Sequence, residues 1–253
     1  MSKTFLSVVI PSYNEKKNFG RGVLEKLIDY LSSQPYTWEV ILTDDGSTDG
    51  TQEILKEFAQ KNRGVTFLPN IHGGKGPTVA AGMLAAQGEY RLYTDFDQST
   101  PISDIEKMWP YIEDGEDIVI GSRAVQGARR DDEPWYRHIM GKGFNMVVQF
   151  FALPGIYDTQ CGFKLFSAQA TEDLFPRLVV YARKERQDAF TGAFDVELLY
   201  LAKKRKYSIS EVPVLWIHNE SDRVSPVKDS IRMFIDILKI RWVDINGHYR
   251  EQK

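Results

Sequence analysis

Four times in the first half of the chain, a short run of β-branched and aromatic residues is followed by a stretch with apolar residues at helical spacing. This alternation restricts the fold more than any other feature. Residues 5–10, 38–42, 65–68 and 90–94 read as strands, and the stretches 19–31, 50–59, 77–86 and 102–112 that follow them read as helices. In the first helix Val23, Leu24, Leu27, Ile28 and Leu31 share one face. A fifth strand is predicted at 117–121. Because these runs are mostly apolar rather than alternating, both faces of the sheet are expected to be covered, as when crossover helices join parallel strands. The expected class is α/β, a mainly parallel central sheet flanked by helices. In such sheets ligands sit beyond the carboxyl ends of the strands, so the residues just after each run are the ones to read for chemistry.

The second half predicts a mobile, charged loop over 123–133, helices over 135–153, 168–175 and 194–204, a segment at 159–167, and a strand at 208–216. A long amphipathic helix follows at 227–246. No repeat, low-complexity tract or Gly/Ser linker is visible. Residues 1–225 are therefore read as one catalytic domain and 226–253 as a helical C-terminal extension. On its helix Ile231, Phe234, Ile235, Leu238, Trp242 and Ile245 form an apolar stripe, with Lys228, Arg232 and Lys239 on another face. Core packing is the commoner origin of such a stripe, and a helix lying at a membrane surface is the alternative. The stretch 139–153 is interrupted by Lys142, Asn145 and Gln149 and falls short of the about 18 apolar residues a spanning helix needs. No secretory signal is expected before the first strand, and Cys161, the lone cysteine, leaves no internal disulfide or cysteine-built zinc site. A reducing, cytoplasmic setting is expected. With 32 basic and 35 acidic side chains the net charge is -3, so no bulk positive field calls for nucleic acid.

The turn after strand one, Pro11-Ser12-Tyr13-Asn14-Glu15, lacks the glycines that let a backbone approach a pyrophosphate, which disfavours a dehydrogenase. After strand two comes Asp44-Asp45-Gly46-Ser47-Thr48-Asp49-Gly50-Thr51. Asp49 or Thr48 is expected to cap the next helix, and three acids in six residues point to a ligand or cation that absorbs their repulsion. Strand four ends in Asp95-Phe96-Asp97. Period-two geometry sends both aspartates to one face, a pair of hard oxygen ligands suited to Mg²⁺ or Mn²⁺ shared with a substrate diphosphate. In His72-Gly73-Gly74-Lys75-Gly76, Gly76 and Pro69 stand where a phosphate loop needs a hydroxyl and a glycine, which excludes a nucleoside triphosphatase of that kind. The turn either presents N–H groups and Lys75 to an anion or is a plain turn. Arg123 follows a buried strand, where a guanidinium suits bidentate phosphate binding, while Arg129 and Arg130 read as solvated surface residues. Asp195 and Glu197 are either acids favoured by a helix N-terminus or substrate ligands. The four histidines show no metal spacing.

The stretches 11–15, 44–47, 74–76, 95–97 and 121–123 are joined by Asp158-Thr159-Gln160-Cys161-Gly162-Phe163-Lys164 and Glu211-Val212-Pro213-Val214. In order and spacing, over roughly residues 5–230, they resemble the inverting family 2 nucleotide-sugar glycosyltransferases of the A-type fold. Within these they are most similar to polyprenyl-phosphate transferases of the dolichyl-phosphate β-glucosyltransferase kind. The resemblance implies transfer of glucose from UDP-glucose to a polyprenyl or dolichyl phosphate, with inversion, by an enzyme peripheral on the cytoplasmic face of a membrane. It implies that Pro11, Tyr13, Glu15 and Asp45 hold the uridine, that Lys75 and Asp95 complete the donor site, and that Asp95 and Asp97 hold Mg²⁺ or Mn²⁺. Asp97, Arg123 and Arg137 are the implied catalytic residues, and Arg123, Arg137 and Arg223 the implied ligands of the acceptor phosphate. Ser99 stands where the mannosyl-transferring branch has a metal-binding glutamine. Leu238 replaces the glutamine of the Gln-x-x-Arg-Trp element of processive synthases, which disfavours polymerisation, and the Gly-x-Gly-x-Arg signature of pyrophosphorylases is absent. The alternatives are a transferase with a soluble acceptor and a nucleotide-sugar-binding module without turnover.

Overall fold

A computed structural model describes residues 3–131, 135–182, 192–218 and 226–249, with backbone alone over 135–140 and 226–230. Strands β1 (Leu6–Ser12), β2 (Trp38–Asp44), β3 (Val65–Pro69) and β4 (Tyr90–Thr94) alternate with helices as their periodicity dictates. Of these helices, α2 is Val23–Ser32, α3 Thr51–Lys61 and α4 Lys75–Ala85, with α1 (Lys16–Phe19) a single preceding turn. The helix expected over 102–112 is instead a 3₁₀ segment, Ile102–Lys107, followed by the short α5, Trp109–Glu113. Pro110 explains the break, because it has no N–H to bond back to Glu106 in a continuous helix and instead sits in the first turn of α5, where none is needed.

The expected mainly parallel sheet is borne out, and β5 (Ile118–Ser122) runs in the same direction as β1 to β4. The seven-stranded order is β3-β2-β1-β4-β7-β5-β8, with β7 at Phe163–Ser167 and β8 at Ile209–Pro213. Strand β7 runs antiparallel to both its neighbours, β4 and β5, whereas the other pairings in this sheet are parallel. The reversal places the start of β7 beside the end of β4, with Thr94 opposite Phe163, and so brings the 158–162 loop against Asp95. The loop expected over 123–133 contains β6 (Arg129–Asp131), paired with β9 (Leu215–Ile217). Arg130 is not simply solvated, since its Nε donates to the Arg123 carbonyl at 2.9 Å.

Alternating strand residues feed two cores. Val8, Ile10, Leu42, Leu92 and Leu165 pack with α2 and α3 on one face. Val9, Ile41, Tyr93 and Phe166 pack on the other face against α4, α6 (Trp135–Phe151), α7 (Ala168–Leu174) and α8 (Phe194–Lys204). Helix α9 (Pro226–Ile245) joins this second core through Ile237 and Ile240, both fully buried. The stripe Ile231, Phe234, Ile235, Leu238, Trp242 and Ile245 is on the other side and open to solvent, Trp242 by 67% and Ile245 by 69%. Core packing is thus not the origin of the stripe. Among the described residues no helix is long and apolar enough to cross a membrane.

Candidate active site at the carboxyl ends of the strands

The ends of β1 and β2 and the turn before α4 interlock through Asp45. Its Oδ1 accepts from the Gly73 N–H at 2.8 Å, the Gly74 N–H at 3.1 Å and the Thr78 hydroxyl at 2.8 Å. Its Oδ2 lies 2.9 Å from His72 Nδ1. The glycine-rich turn therefore does present N–H groups to an anion, and that anion is the chain's own carboxylate. Asp44 accepts from the Ser12 hydroxyl and from the N–H and hydroxyl of Ser47; the cap of α3 is Gly50 rather than the expected Asp49 or Thr48, and Asp49 beside it accepts the Thr51 N–H at 3.0 Å. Internal hydrogen bonds thus absorb the charge of the acid cluster, which corrects the expectation that it requires a ligand or cation.

His72, to which the sequence assigned no chemistry, stacks on Tyr13 with ring centroids 4.4 Å apart and planes 11° from parallel. Its Nδ1 faces two acceptors, the carbonyl and carboxylate of Asp45, so Nδ1 carries the hydrogen. Pro11 lies within β1 opposite Thr43, and Glu15 is buried with its carboxylate accepting from Asn18 Nδ2 at 2.6 Å.

At the end of β4, Lys75 Nζ contacts Asp95 Oδ1 at 2.5 Å. Burial acts to lower the Lys75 pKa, but the carboxylates of Asp95, Asp195 and Asp97 outweigh it and hold the ammonium above its usual value. Asp97 accepts from the Ser99 N–H at 3.0 Å and the Ser99 hydroxyl at 2.9 Å. Burial first, then the charge of Asp95, push its carboxyl above the ordinary range. The backbone of Asp95 donates to the Gly162 carbonyl at 3.1 Å, and a Cβ on Gly162 would fall 2.0 Å from Asp95 Oδ2. Gly162 is therefore the residue that leaves room for the Asp95 carboxylate. Beneath the pair, fully buried Lys164 is 2.7 Å from Asp195 Oδ1, and the Tyr93 hydroxyl donates to the same oxygen. Asp195 is thus a buried counterion, and the helix-terminus reading alone does not account for it. Glu197 accepts the backbone N–H groups of Val179, Val180 and Tyr181, fixing that loop. Cys161 is a buried thiol pushed up to about 11 by desolvation, as a small core residue would be.

Arg123 is clamped rather than solvated. Its Nε and Nη2 donate to the two oxygens of Asp158 at 2.7 and 2.9 Å, and its guanidinium carbon is 5.3 Å from the Trp216 ring centroid. Burial raises the Asp158 pKa, but the charge and hydrogen bonds of Arg123 prevail and hold it at about 2. Asp158 is in turn placed by Glu211, which accepts the N–H groups of Tyr157 and Asp158 at 2.6 and 2.9 Å. The Gly162 and Asp158 ends of one loop therefore tie the aspartate pair to Arg123. The side chain of Arg137 and the whole of Arg223 lie outside the described residues.

Residues 7–175 match the family described as Glycosyl transferase family 2, two thirds of the chain. The chain belongs to that family. It is 36% identical over 274 residues to the dolichyl-phosphate beta-glucosyltransferase of Saccharomyces cerevisiae, covering 98% of this chain and 78% of the relative. A relative of the same name in Trichomonas vaginalis is 36% identical over 252 residues, covering 94% of this chain and 71% of its own. Among solved structures, glucosyl-3-phosphoglycerate synthase from Mycobacterium tuberculosis, in complex with Mn2+, UDP and glucosyl-3-phosphoglycerate, superposes with a TM-score of 0.63 at 16% identity. That match covers 94% of this chain and 80% of the synthase. The fold of this family 2 glycosyltransferase is the A-type, as its sheet order and neighbours show.

The A-type fold implies a divalent cation, and the Asp95 and Asp97 carboxylates fit one. They are hard oxygen donors on one strand end, and their mutual repulsion in a desolvated setting is what a cation relieves. Among the described residues no cluster of three or more His, Cys, Asp and Glu side chains gathers to hold a metal. Two protein carboxylates suit an ion that takes its remaining ligands from diphosphate and water.

Proposed function

We propose that this transferase moves glucose from UDP-glucose to the phosphate of a polyprenyl or dolichyl lipid, inverting the configuration at the anomeric carbon. The reading rests above all on Asp95 and Asp97 at the end of β4, one gripped by Lys75 and the other by Ser99, with Arg123 fixed across the 158–162 loop. Relatives that match nearly the whole chain and carry the name dolichyl-phosphate beta-glucosyltransferase support the sugar and the acceptor.

In this reading Tyr13, stacked on His72, walls the uracil, with Pro11 and Glu15 at the ribose side. Asp45 acts on the base through the turn and the His72 ring that it holds. An oxygen of the acceptor phosphate attacks the anomeric carbon as the bond to UDP breaks. That phosphate is a monoester, largely ionised near neutral pH, so no protein base has to remove a proton. Asp95 and Asp97 would hold the Mg²⁺ or Mn²⁺ ion whose Lewis acidity neutralises the departing diphosphate. Lys75 adds a fixed positive charge there, and Arg123, Arg137 and Arg223 orient the acceptor phosphate. A membrane-embedded acceptor requires the enzyme at the bilayer surface. The solvent-facing stripe of α9, on the extension 226–253 beside the catalytic domain 1–225, is suited to lie on the cytoplasmic face.

Asp97→Ala tests the site. Label from UDP-[¹⁴C]glucose should pass into the organic phase with wild-type protein and polyprenyl phosphate, and fall at least 100-fold in the variant. Wild-type transfer by Asp97→Ala, or in excess chelator, contradicts the cation site.

A further inference from the structure

Where the carboxyl ends of α6, α8 and α9 meet lies a cavity of about 440 Å³ that the reaction described above does not use. One wall is apolar, made by Phe150 and Phe151, and the other carries Lys203, Lys204, Arg241 and Asp244. Phe150 is 83% exposed, so this wall continues into the open apolar face of α9, where the Phe151 ring meets Phe234 at 5.8 Å. Lys203 and Lys204 follow Asp195 by 8 and 9 residues on α8, which at helical rise puts them about 12–13 Å along the helix from that buried counterion.

The cations are held in place but their charges are only partly met. Lys204 pairs with Asp244. Lys203 instead donates to the Pro154 carbonyl at 2.5 Å, and Arg241 donates to the Tyr200 hydroxyl at 2.5 Å while lying 5.4 Å from the Tyr200 ring centroid. Among the described residues neither forms a salt bridge with a carboxylate, and Arg241 acts on Asp244 only as a nearby charge. Among the described residues three cations face one anion in a recess lined by aromatic rings, beside a face that exposes Met146, Phe150, Leu238, Trp242 and Ile245. Apolar area that large beside fixed cations suits an amphiphile with an anionic head.

We propose that this cavity binds the phosphate headgroup of an anionic bilayer lipid, its acyl chains lying along the α6 and α9 face. This is a second lipid site, separate from the acceptor's. The proposal rests on the membrane-surface reading above and adds an anchor at the end of the docking face remote from the reaction centre. Two points of attachment, the headgroup here and the acceptor phosphate beside Arg123, fix the tilt of the protein on the bilayer.

The test measures flotation of the full chain with vesicles of phosphatidylcholine alone or with 30% phosphatidylglycerol. Lys203→Gln/Arg241→Gln should lose roughly thirtyfold in partition to the anionic vesicles, about fivefold for each cation, and bind pure phosphatidylcholine as wild type does. Lys203→Arg/Arg241→Lys, which keeps both charges, should bind within about threefold of wild type. Lys56→Gln/Lys61→Gln, which removes the same charge from α3, should bind as wild type. Equal losses in the α3 pair and the cavity pair, or no loss in the cavity pair, overturn the site. Sedimentation of the wild type as a dimer that the cavity pair dissociates also overturns it, since the face is then a subunit contact. Transfer by the wild type to a short-chain, water-soluble polyprenyl phosphate is measured in parallel. Its absence defeats the proposed function, whatever the vesicles show.

Discussion

Gly162→Ala strikes the contact on which the aspartate pair depends. The added Cβ would sit 2.0 Å from Asp95 Oδ2, 2.3 Å from Cγ and 2.5 Å from Oδ1, where ordinary contact begins at 3.4 Å. The carboxylate or the loop has to give by about 1.4 Å. Catalytic groups tolerate about 0.5 Å, and a misplacement near 1 Å costs about 100-fold. The loop has little freedom to yield, because its Asp158 end is fixed by Arg123 and Glu211 and its Gly162 carbonyl accepts from Asp95. Overpacking of this kind costs about 1–3 kcal/mol of stability, some 3–10 °C in a chain of this size. The expected outcome is a fall of about 100-fold or more in kcat/KM for lipid glucosylation, from a protein still folded at 25 °C. Steady-state kinetics with polyprenyl phosphate, alongside a thermal melt, reads both quantities. Wild-type kcat/KM in a folded variant would refute the claim that the position of Asp95 limits the reaction.

Arg123→Lys keeps the charge but cannot make both bonds to Asp158 or lie flat on Trp216, so kcat/KM for the acceptor should fall about tenfold or more with donor KM little changed. Acceptor kinetics equal to wild type would return Arg123 to a purely structural role. Acid should also weaken the fold through Asp158. Its folded pKa of about 2 lies below the ordinary 3.8, so the stabilisation is complete above pH 4 and is lost as pH falls from about 4 through 2. A shift of this size corresponds to about 2 kcal/mol, and Asp158→Asn should both lower Tm at pH 7 and flatten acid unfolding across that window. An unchanged slope between pH 4 and 2 would contradict the assignment.

The strands and the Asp95 and Asp97 pair were legible because both follow from local period-two geometry at a strand end. The direction of β7 was not, since the short buried sequence of Phe163–Ser167 satisfies a parallel or an antiparallel slot equally. Asp45 shows why acid counting misleads. Backbone N–H groups of Gly73 and Gly74, distant in sequence, neutralise its carboxylate without any ligand. The partners of His72 and the pairing of Lys164 with Asp195 were not legible for the same reason, as they come from other elements. The lysine at 164, flanked by Phe163 and Leu165 within a buried strand, was the signal available, because a buried ammonium requires a counterion. On α9, two apolar faces compete for the core. Ile237 and Ile240 took it, and the longer stripe that stands out in the sequence was left to solvent.

The measurement that bears most directly on the central claim is a donor and acceptor panel. UDP-glucose, UDP-galactose, UDP-N-acetylglucosamine and GDP-mannose, each labelled in the sugar, are offered in turn with Mg²⁺ or Mn²⁺ and either polyprenyl phosphate or 3-phosphoglycerate, and the products are partitioned between organic and aqueous phases. The account predicts that label reaches the organic phase only from UDP-glucose with polyprenyl phosphate, as a β-linked lipid-phosphate glucose. Label transferred from another donor, or found on 3-phosphoglycerate in the aqueous phase, would contradict it.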